Sequence, residues 1–458
     1  MSAAIDPAVF KAYDIRGTYP DQIDETTALA IGRAFALVRA AEKQVESAAG
    51  LRIAIGHDMR HHSAPLAEAF CEGLIAEGAH VIDIGMVGTE IVYYAVGSRE
   101  LDGGASVTAS HNPKQWAGFK LLREGAIALS GERGIGEIRA LIEQGMPGSA
   151  AARGAYERVD VYDQFRAHVL SFIDPDALRS LKVVLDGGNG MAGPMIGPLL
   201  DSFPLDQERL YFEPNGEFPG HEPNPLLPEN RKLIIDKVLE SGAELGIAWD
   251  GDADRCFFID DTGEFVPGDF LTALLAQSIL ERNPGSTILY DLRASRAVPD
   301  TVATAGGRAL VNRVGHAFFK TRMREEDAAF AGEVSGHYYF RDFWYADSGT
   351  VPALLILELL SKRGKRMSEL LAPFRARYFI SGEINSEVGD QQARMAEIAE
   401  RYSDGEVSRL DGISVDYETW HFNVRPSNTE PLLRLNLEGS SQQEMERRRD
   451  ELLALIRQ

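Results

Sequence analysis

Three stretches of the chain share one pattern, a short apolar run that ends in a polar turn bearing Gly or Asp. They are Arg52-Ile-Ala-Ile-Gly-His-Asp58, Lys182-Val-Val-Leu-Asp-Gly-Gly-Asn-Gly190 and Thr287-Ile-Leu-Tyr-Asp-Leu-Arg-Ala-Ser295. Each precedes a stretch with helical spacing. After the first, Leu66, Phe70, Leu74 and Ile75 fall on one face, and a second strand over 80–84 ends at Gly85. Strand, helix and strand in that order predict a βαβ unit with parallel strands. Three such units at intervals of about a hundred residues predict a triplicated α/β domain with mixed sheets. Towards the C-terminus the pattern changes. A helix over 353–363 stops at Gly364, alternating strands follow over 413–424 and 433–437, and an amphipathic helix starts at Gln442. The last ninety or so residues therefore read as a smaller α+β domain.

Boundaries follow from the punctuation. Gly145-Met-Pro-Gly-Ser-Ala-Ala-Ala-Arg-Gly154 clusters Gly and Pro without apolar periodicity and reads as a linker. A hairpin is expected around the turn Asp261-Thr-Gly263. The resulting division is 1–150, 151–256, 257–368 and 369–458. With 458 residues, 44% hydrophobic and 25% charged, the composition is that of a globular, soluble chain. Sixty-nine acidic against 47 basic residues give a net charge of −22. That charge repels nucleic acid phosphates and acidic membrane surfaces, so neither is an expected partner. Residues 1–11 lack a signal pattern, and the greasiest run, 353–360, is short and contains Glu358, so neither secretion nor a membrane span is expected. Cys71 and Cys256, the two cysteines, lie far apart without metal spacing, which fits a reducing, cytoplasmic setting. An anionic ligand would need isolated cations to converge on it, and Arg16, Lys120, Arg255, Arg293 and Arg425 are the candidates.

Gly246-Ile-Ala-Trp-Asp250-Gly-Asp252-Ala-Asp254-Arg255 carries the strongest chemical signal. In a helix Asp250 and Asp254 would share a face and Asp252 would point away, so only a looped or extended backbone lets all three carboxylates converge. Crowded carboxylates resist ionising, and a hard divalent cation such as Mg²⁺ relieves them by taking oxygen ligands. An EF-hand would need Gly where Arg255 stands. In Ala105-Ser-Val-Thr108-Ala-Ser110-His111-Asn112-Pro113 a short strand delivers Ser110 into an Asn-Pro turn. Three readings are open for Ser110: it serves a hydrolase, it carries a phosphoryl group, or it is a turn serine that only bonds the backbone. The first is disfavoured because His111, as the immediate neighbour, is expected to diverge and no Gly-x-Ser-x-Gly elbow is present. Arg425-Pro-Ser427-Asn428-Thr429, between two strands, offers a guanidinium fork, hydroxyls, an amide and backbone N–H groups to a phosphate. Glu333 and Ser335, two apart in a segment read as extended, would share a face and meet adjacent sugar hydroxyls. His316, His337 and the segment Lys11-Ala-Tyr13-Asp14-Ile-Arg16-Gly17 are ambiguous alone.

Together, Tyr13-Asp-Ile-Arg16-Gly, Thr108-Ala-Ser110-His-Asn-Pro, Asp250-Gly-Asp252-Ala-Asp254-Arg255, Gly332-Glu-Val-Ser-Gly-His337 and Arg425-Pro-Ser-Asn-Thr429 resemble, in this order, the α-D-phosphohexomutase family, in its bacterial phosphomannomutase/phosphoglucomutase branch. The resemblance spans nearly the whole chain. It implies three similar α/β domains with mixed sheets plus the smaller C-terminal domain, arranged around a central cleft; because a phosphoserine must be kept from water, closure of that cleft by the fourth domain, hinged near 364–368, is a separate expectation. Ser110 would be the phosphoserine and, with Asp250, Asp252 and Asp254, a ligand of Mg²⁺. Arg16 and Arg255 would flank Ser110, and Lys120, His316 and His337 would lie near the reacting oxygens. Tyr13, Arg293, Glu333, Ser335, Arg425, Ser427, Asn428 and Thr429 would hold the substrate. The implied reaction moves a phosphoryl group between C1 and C6 of mannose or glucose phosphates, primed by glucose 1,6-bisphosphate or mannose 1,6-bisphosphate, in a monomer or homodimer. Two departures stand out. Ala117 replaces an Asn usual before Gly118-Phe-Lys120, which would loosen a loop carrying Lys120, and Arg293 stands where many relatives have Lys. Val334 argues against a phosphoglucosamine mutase, which usually has Gln there. The same residues would also suit a metal-dependent sugar phosphatase or a non-catalytic sugar-phosphate binder.

Overall fold

A computed structural model describes residues 5–427 and 432–458. The chain falls into two compact units, Met1–Val266 with Ser335–Arg366 and Pro267–Val334 with Met367–Gln458. In the first unit, one sheet runs in the order Ile15–Thr18, Trp116–Arg123, Gly103–Val107, Arg52–His57, His80–Met86, Tyr156–Arg158. Arg52–His57 is parallel to both its neighbours, and Trp116–Arg123 is antiparallel to both of its own. The second sheet runs Cys256–Asp260, Leu245–Trp249, Lys182–Asp186, Asp206–Leu210, with only the first pair antiparallel. In the second unit Thr287–Asp291 again lies between parallel partners, Arg308–Asn312 and Phe330–Gly332. All three expected opening strands thus take the next strand on one side and a later one on the other. Burial on both faces explains why they read as unbroken apolar runs.

The helices obey the apolar spacing. Glu25–Glu42 is capped by Asp24, whose carboxylate accepts the Thr27 N–H, and buries Ala28, Ile31, Phe35 and Val38 on one stripe. It crosses Ser63–Ala76 closely, because a Cβ at Gly32 would lie 2.2 Å from the Phe70 carbonyl oxygen. The rings of Phe35, Phe70 and Phe119 then fill the space between helices and sheet. The helix expected over 353–363 begins earlier, at Thr350, because Pro352 lies in its first turn, where a missing N–H costs no bond. The C-terminal region forms an antiparallel sheet in the order Phe379–Ile380, Leu432–Gly439, Trp420–Pro426, Ile413–Asp416, Glu406–Ser408. Ile384–Glu387 also pairs with Leu432–Gly439. Helices Gln391–Arg401 and Gln442–Ile456 bury Ile398, Leu452 and Ile456 with the core of that sheet.

The Gly- and Pro-rich segment 145–154 carries neither helix nor strand, yet it is not a free tether. The N–H groups of Ala150 and Gly154 donate to the carbonyls of Ala76 and Ile75 at the end of Ser63–Ala76, and Tyr156–Arg158 beyond it joins the first sheet. The two cysteines are buried free thiols. Among the described residues no helix is long and apolar enough to cross a membrane.

Candidate active site

The loop between the buried strands Leu245–Trp249 and Cys256–Asp260 turns through Gly251 and through Ala253 at φ +59°. It brings ligand oxygens of Asp250, Asp252 and Asp254 within 4.8 Å of one another, as the alternating spacing requires of a non-helical backbone. All three side chains are at most 1% exposed. Burial and mutual repulsion raise the carboxyls of Asp250 and Asp254. Asp252 is buried too, but Lys120 and the hydrogen bonds it receives hold it below the usual range. The buried Oδ1 atoms of Asp252 and Asp254 have no hydrogen-bond partner. An oxygen-only cluster with orphaned carboxylate oxygens fits a hard divalent cation, which would satisfy both.

Ser110 abuts this loop. It adopts φ +50°, its N–H donates to Thr108 Oγ1 at 2.9 Å, and its hydroxyl donates to Asp250 Oδ2 at 2.9 Å. Backbones meet here, because a Cβ on Gly251 would lie 2.5 Å from the Ser110 carbonyl oxygen. His111 does not diverge as expected. The left-handed turn at Ser110 brings His111 Nδ1 to 3.2 Å from the serine hydroxyl, and burial followed by Arg255 and Arg16 holds the imidazole neutral.

Cations surround the two loops. Lys120 donates to Asp252 Oδ2 at 2.7 Å and to Asp254. Burial disfavours its ammonium, but the two carboxylates outweigh burial and hold it above the ordinary range. Lys120 does not ride on a loosened loop: Ala117, Gly118 and Lys120 all belong to the strand Trp116–Arg123, paired on both sides. Arg255 Nε donates to Asp250 Oδ2 at 2.8 Å. Arg16 reaches Asn112 Oδ1 at 2.5 Å and Asp14 at 2.5 Å, while half-buried Tyr13 sits in the turn before Ile15–Thr18. His337 Nε2 stands 3.8 Å from Asp254 Oδ1, and its Nδ1 lies 3.0 Å from Ser335 Oγ. Residues 333–337 form a turn, with Gly336 at φ +88°, rather than the extended segment expected, so the alternation argument for Glu333 and Ser335 does not apply.

The second unit holds the remaining expected residues. Arg293 lies against Asp291 at 2.8 Å and Glu383 at 3.1 Å. Arg425 Nη2 is 4.0 Å from Glu383, and Arg434 bonds both Glu383 at 3.1 Å and Ser427 Oγ at 3.4 Å. Three guanidiniums thus share one carboxylate, and burial, then Arg293, lowers the Arg425 pKa. Glu333 Oε2 accepts from the Gly315 N–H at 3.2 Å, and the following residue, His316, starts the helix His316–Glu325. Asn428 and Thr429 lie outside the described residues.

Four domain models of one family match in succession: phosphoglucomutase/phosphomannomutase alpha/beta/alpha domains I, II and III over 7–147, 162–263 and 267–378, and its C-terminal domain over 383–455. The chain belongs to the phosphoglucomutase/phosphomannomutase family. It is 44% identical over 431 residues to a protein named phosphohexose mutases from Xanthomonas campestris pv. campestris, covering 94% of each chain. It is 41% identical over 457 residues to a phosphomannomutase of Escherichia coli K12, covering 98% of each. A solved phosphoglucomutase/phosphomannomutase family protein from Burkholderia thailandensis superposes with a TM-score of 0.88 at 33% identity, covering 98% of this chain and 97% of that one.

Within this family frame, residues that sequence reasoning passed over support the serine loop. Arg60, 2% exposed, donates to the carbonyls of Ser110 (2.9 Å), Asn112 (2.6 Å), Pro113 (2.8 Å) and Trp116 (3.4 Å). Asp58 faces it at 3.3 Å. The available signal was position: Asp58-Met-Arg60 follows the carboxyl end of a central parallel strand, where α/β sheets build sites. Glu383 and Arg434 had no such signal.

Proposed function

We propose that this mutase-family chain interconverts the 1- and 6-phosphates of both mannose and glucose, with Ser110 as the residue that carries the phosphoryl group. The observation that carries this reading is the contact of the Ser110 hydroxyl with Asp250 beside two buried carboxylate oxygens that lack hydrogen-bond partners. In the forward half-reaction the P–Oγ bond of Ser110 breaks as a P–O bond forms to a sugar hydroxyl, whose proton leaves. The resulting hexose 1,6-bisphosphate turns around, its other sugar O–P bond breaks as a P–Oγ bond to Ser110 forms, and the freed sugar oxygen takes a proton back. Asp250, Asp252 and Asp254 would hold Mg²⁺, which supplies positive charge to the oxygens of the group in flight. Arg16 and Arg255 neutralise charge around Ser110. Lys120, His316 and His337 serve the reacting oxygens, and one of these three takes the proton. Tyr13, Arg293, Glu333, Ser335, Arg425, Ser427, Asn428 and Thr429 bind the sugar and its idle phosphate, and glucose or mannose 1,6-bisphosphate primes the enzyme. Domains over 1–150, 151–256, 257–368 and 369–458, a cytoplasmic setting, a monomer or homodimer, and no nucleic acid or membrane partner complete the reading.

A ³¹P NMR time course with Mg²⁺ and catalytic glucose 1,6-bisphosphate tests it. Wild type is expected to convert mannose 1-phosphate and glucose 1-phosphate to their 6-phosphates without inorganic phosphate, and Ser110→Ala to convert neither. Release of inorganic phosphate, or full activity in Ser110→Ala, would overturn the reading.

A further inference from the structure

Asp252 is gripped from a direction that the proposed chemistry leaves unexplained. The helix Thr89–Ser98 points its first turn at the acidic loop: the Thr89 N–H donates to the Asp252 carbonyl at 3.1 Å, and the Thr89 hydroxyl donates to Asp252 Oδ2 at 2.5 Å. Close approach depends on Gly88, where a Cβ would lie 2.6 Å from the Asp252 carbonyl oxygen. Because the Thr89 proton is committed to Asp252, the Ser106 hydroxyl 3.1 Å away acts as donor to Thr89. The helix is itself anchored on its next residue, since buried Glu90 is hydrogen-bonded to the hydroxyls of Ser348 and Thr350. Asp252 Oδ2 therefore has two donors, Thr89 and Lys120, while Oδ1 has none. A carboxylate held by one oxygen has little freedom left about its terminal torsion, and the unpartnered oxygen is presented in one orientation.

We propose that Thr89 is a positioning residue of the mutase, whose hydroxyl fixes the Asp252 carboxylate and so sets the affinity of the Asp250–Asp252–Asp254 loop for a divalent cation. The proposal rests on reading that loop as the metal site. Thr89 touches no reacting atom; it acts through Asp252, as outer partners of metal-binding carboxylates do, where their loss costs about 10- to 100-fold in metal affinity.

The test is a Mn²⁺ titration of the full chain after chelation, with free Mn²⁺ followed by electron paramagnetic resonance. Thr89→Val, nearly isosteric, is expected to weaken Mn²⁺ binding by about tenfold or more, and Thr89→Ser, which keeps the hydroxyl, to bind within about threefold of wild type. Melting in chelator is expected to match wild type for Thr89→Ser and to drop by several degrees, with unchanged circular dichroism, for Thr89→Val, which leaves buried groups without the hydroxyl, and activity in Thr89→Val to recover at high metal concentration. Thr89→Ala serves in place of Thr89→Val if the valine variant does not fold. Wild-type Mn²⁺ affinity in the variant lacking the hydroxyl, with affinity lost in Asp252→Asn, would overturn the role of Thr89 alone. Unchanged affinity in Asp252→Asn would overturn the metal reading and the proposal with it.

Discussion

Gly251→Ala is a direct probe of how tightly the serine and acidic loops must fit. Gly251 does not occupy the left-handed region, so an alanine there meets a problem of space and not of torsion. Its Cβ would lie 2.5 Å from the Ser110 carbonyl oxygen and 3.2 Å from Pro223 Cγ, whereas ordinary contact begins at 3.4 Å. The loops would have to part by about 0.9 Å, and neither yields easily, because Arg60 holds the Ser110 carbonyl at 2.9 Å and Asp250 holds its hydroxyl. Overpacking of this kind costs about 1–3 kcal/mol of stability. The larger effect is on turnover, since a misplacement of about 1 Å between reacting groups costs on the order of a hundredfold. Steady-state mutase assays on Gly251→Ala should show kcat lowered by about that factor with circular dichroism unchanged. Gly389→Ala, with no atom within 4 Å of its added methyl, is the control. A kcat for Gly251→Ala within about threefold of wild type would show that the backbone contact is not what positions Ser110.

Burial pushes the Glu90 carboxyl up to about 8, against about 4.5 in an unfolded chain, so between those pH values the folded state keeps a proton that the unfolded state has lost. Stability should therefore fall as pH rises through that window. Glu90→Gln should remove this slope, and its urea midpoint should gain on wild type by a difference worth a few kcal/mol between pH 5 and pH 8; a constant gap would refute the assignment. Arg60→Lys keeps the charge but loses the planar fork that spans four carbonyls, so kcat should fall about tenfold or more with KM little changed; an unchanged kcat refutes the clamp. Arg425→Lys should raise KM for hexose phosphates about tenfold while kcat holds, as expected where a bidentate phosphate contact is lost; equal losses in kcat and kcat/KM would argue instead for a role in the transition state.

The triplicated core was legible because a strand buried on both faces is written as an unbroken apolar run, and 52–57, 182–186 and 287–291 are such runs. The acidic loop was legible for a similarly local reason, three carboxylates on alternate residues. Failures came where local pattern and tertiary contact part company. Glu333 and Ser335 looked like one face of a strand, but Gly336 bends the chain into a turn. The stretch before Lys120 looked like a loop, but Ala117, Phe119 and Leu121 are buried in the first sheet. Arg60, Thr89 and Glu90 are unremarkable residue types whose partners lie 50 to 56, 163 and 258 or 260 positions away, and no window of sequence contains both ends of those bonds. Glu383 draws its meaning from three arginines at 293, 425 and 434, which reach it from separate strands and turns.

Those long separations also impose an order in time. Ser110 meets its hydroxyl acceptor 140 residues later, at Asp250, and Glu90 meets Ser348 after 258. At synthesis rates of about 5–20 residues per second, the serine loop of a nascent chain waits on the order of ten seconds for the acidic loop, and longer for the segment that locks Glu90. A truncated product ending before residue 250 would carry Ser110, the proposed phosphoryl carrier, without its acceptor Asp250. The serine loop of a nascent chain therefore stays without its acceptor until the second sheet has been synthesised.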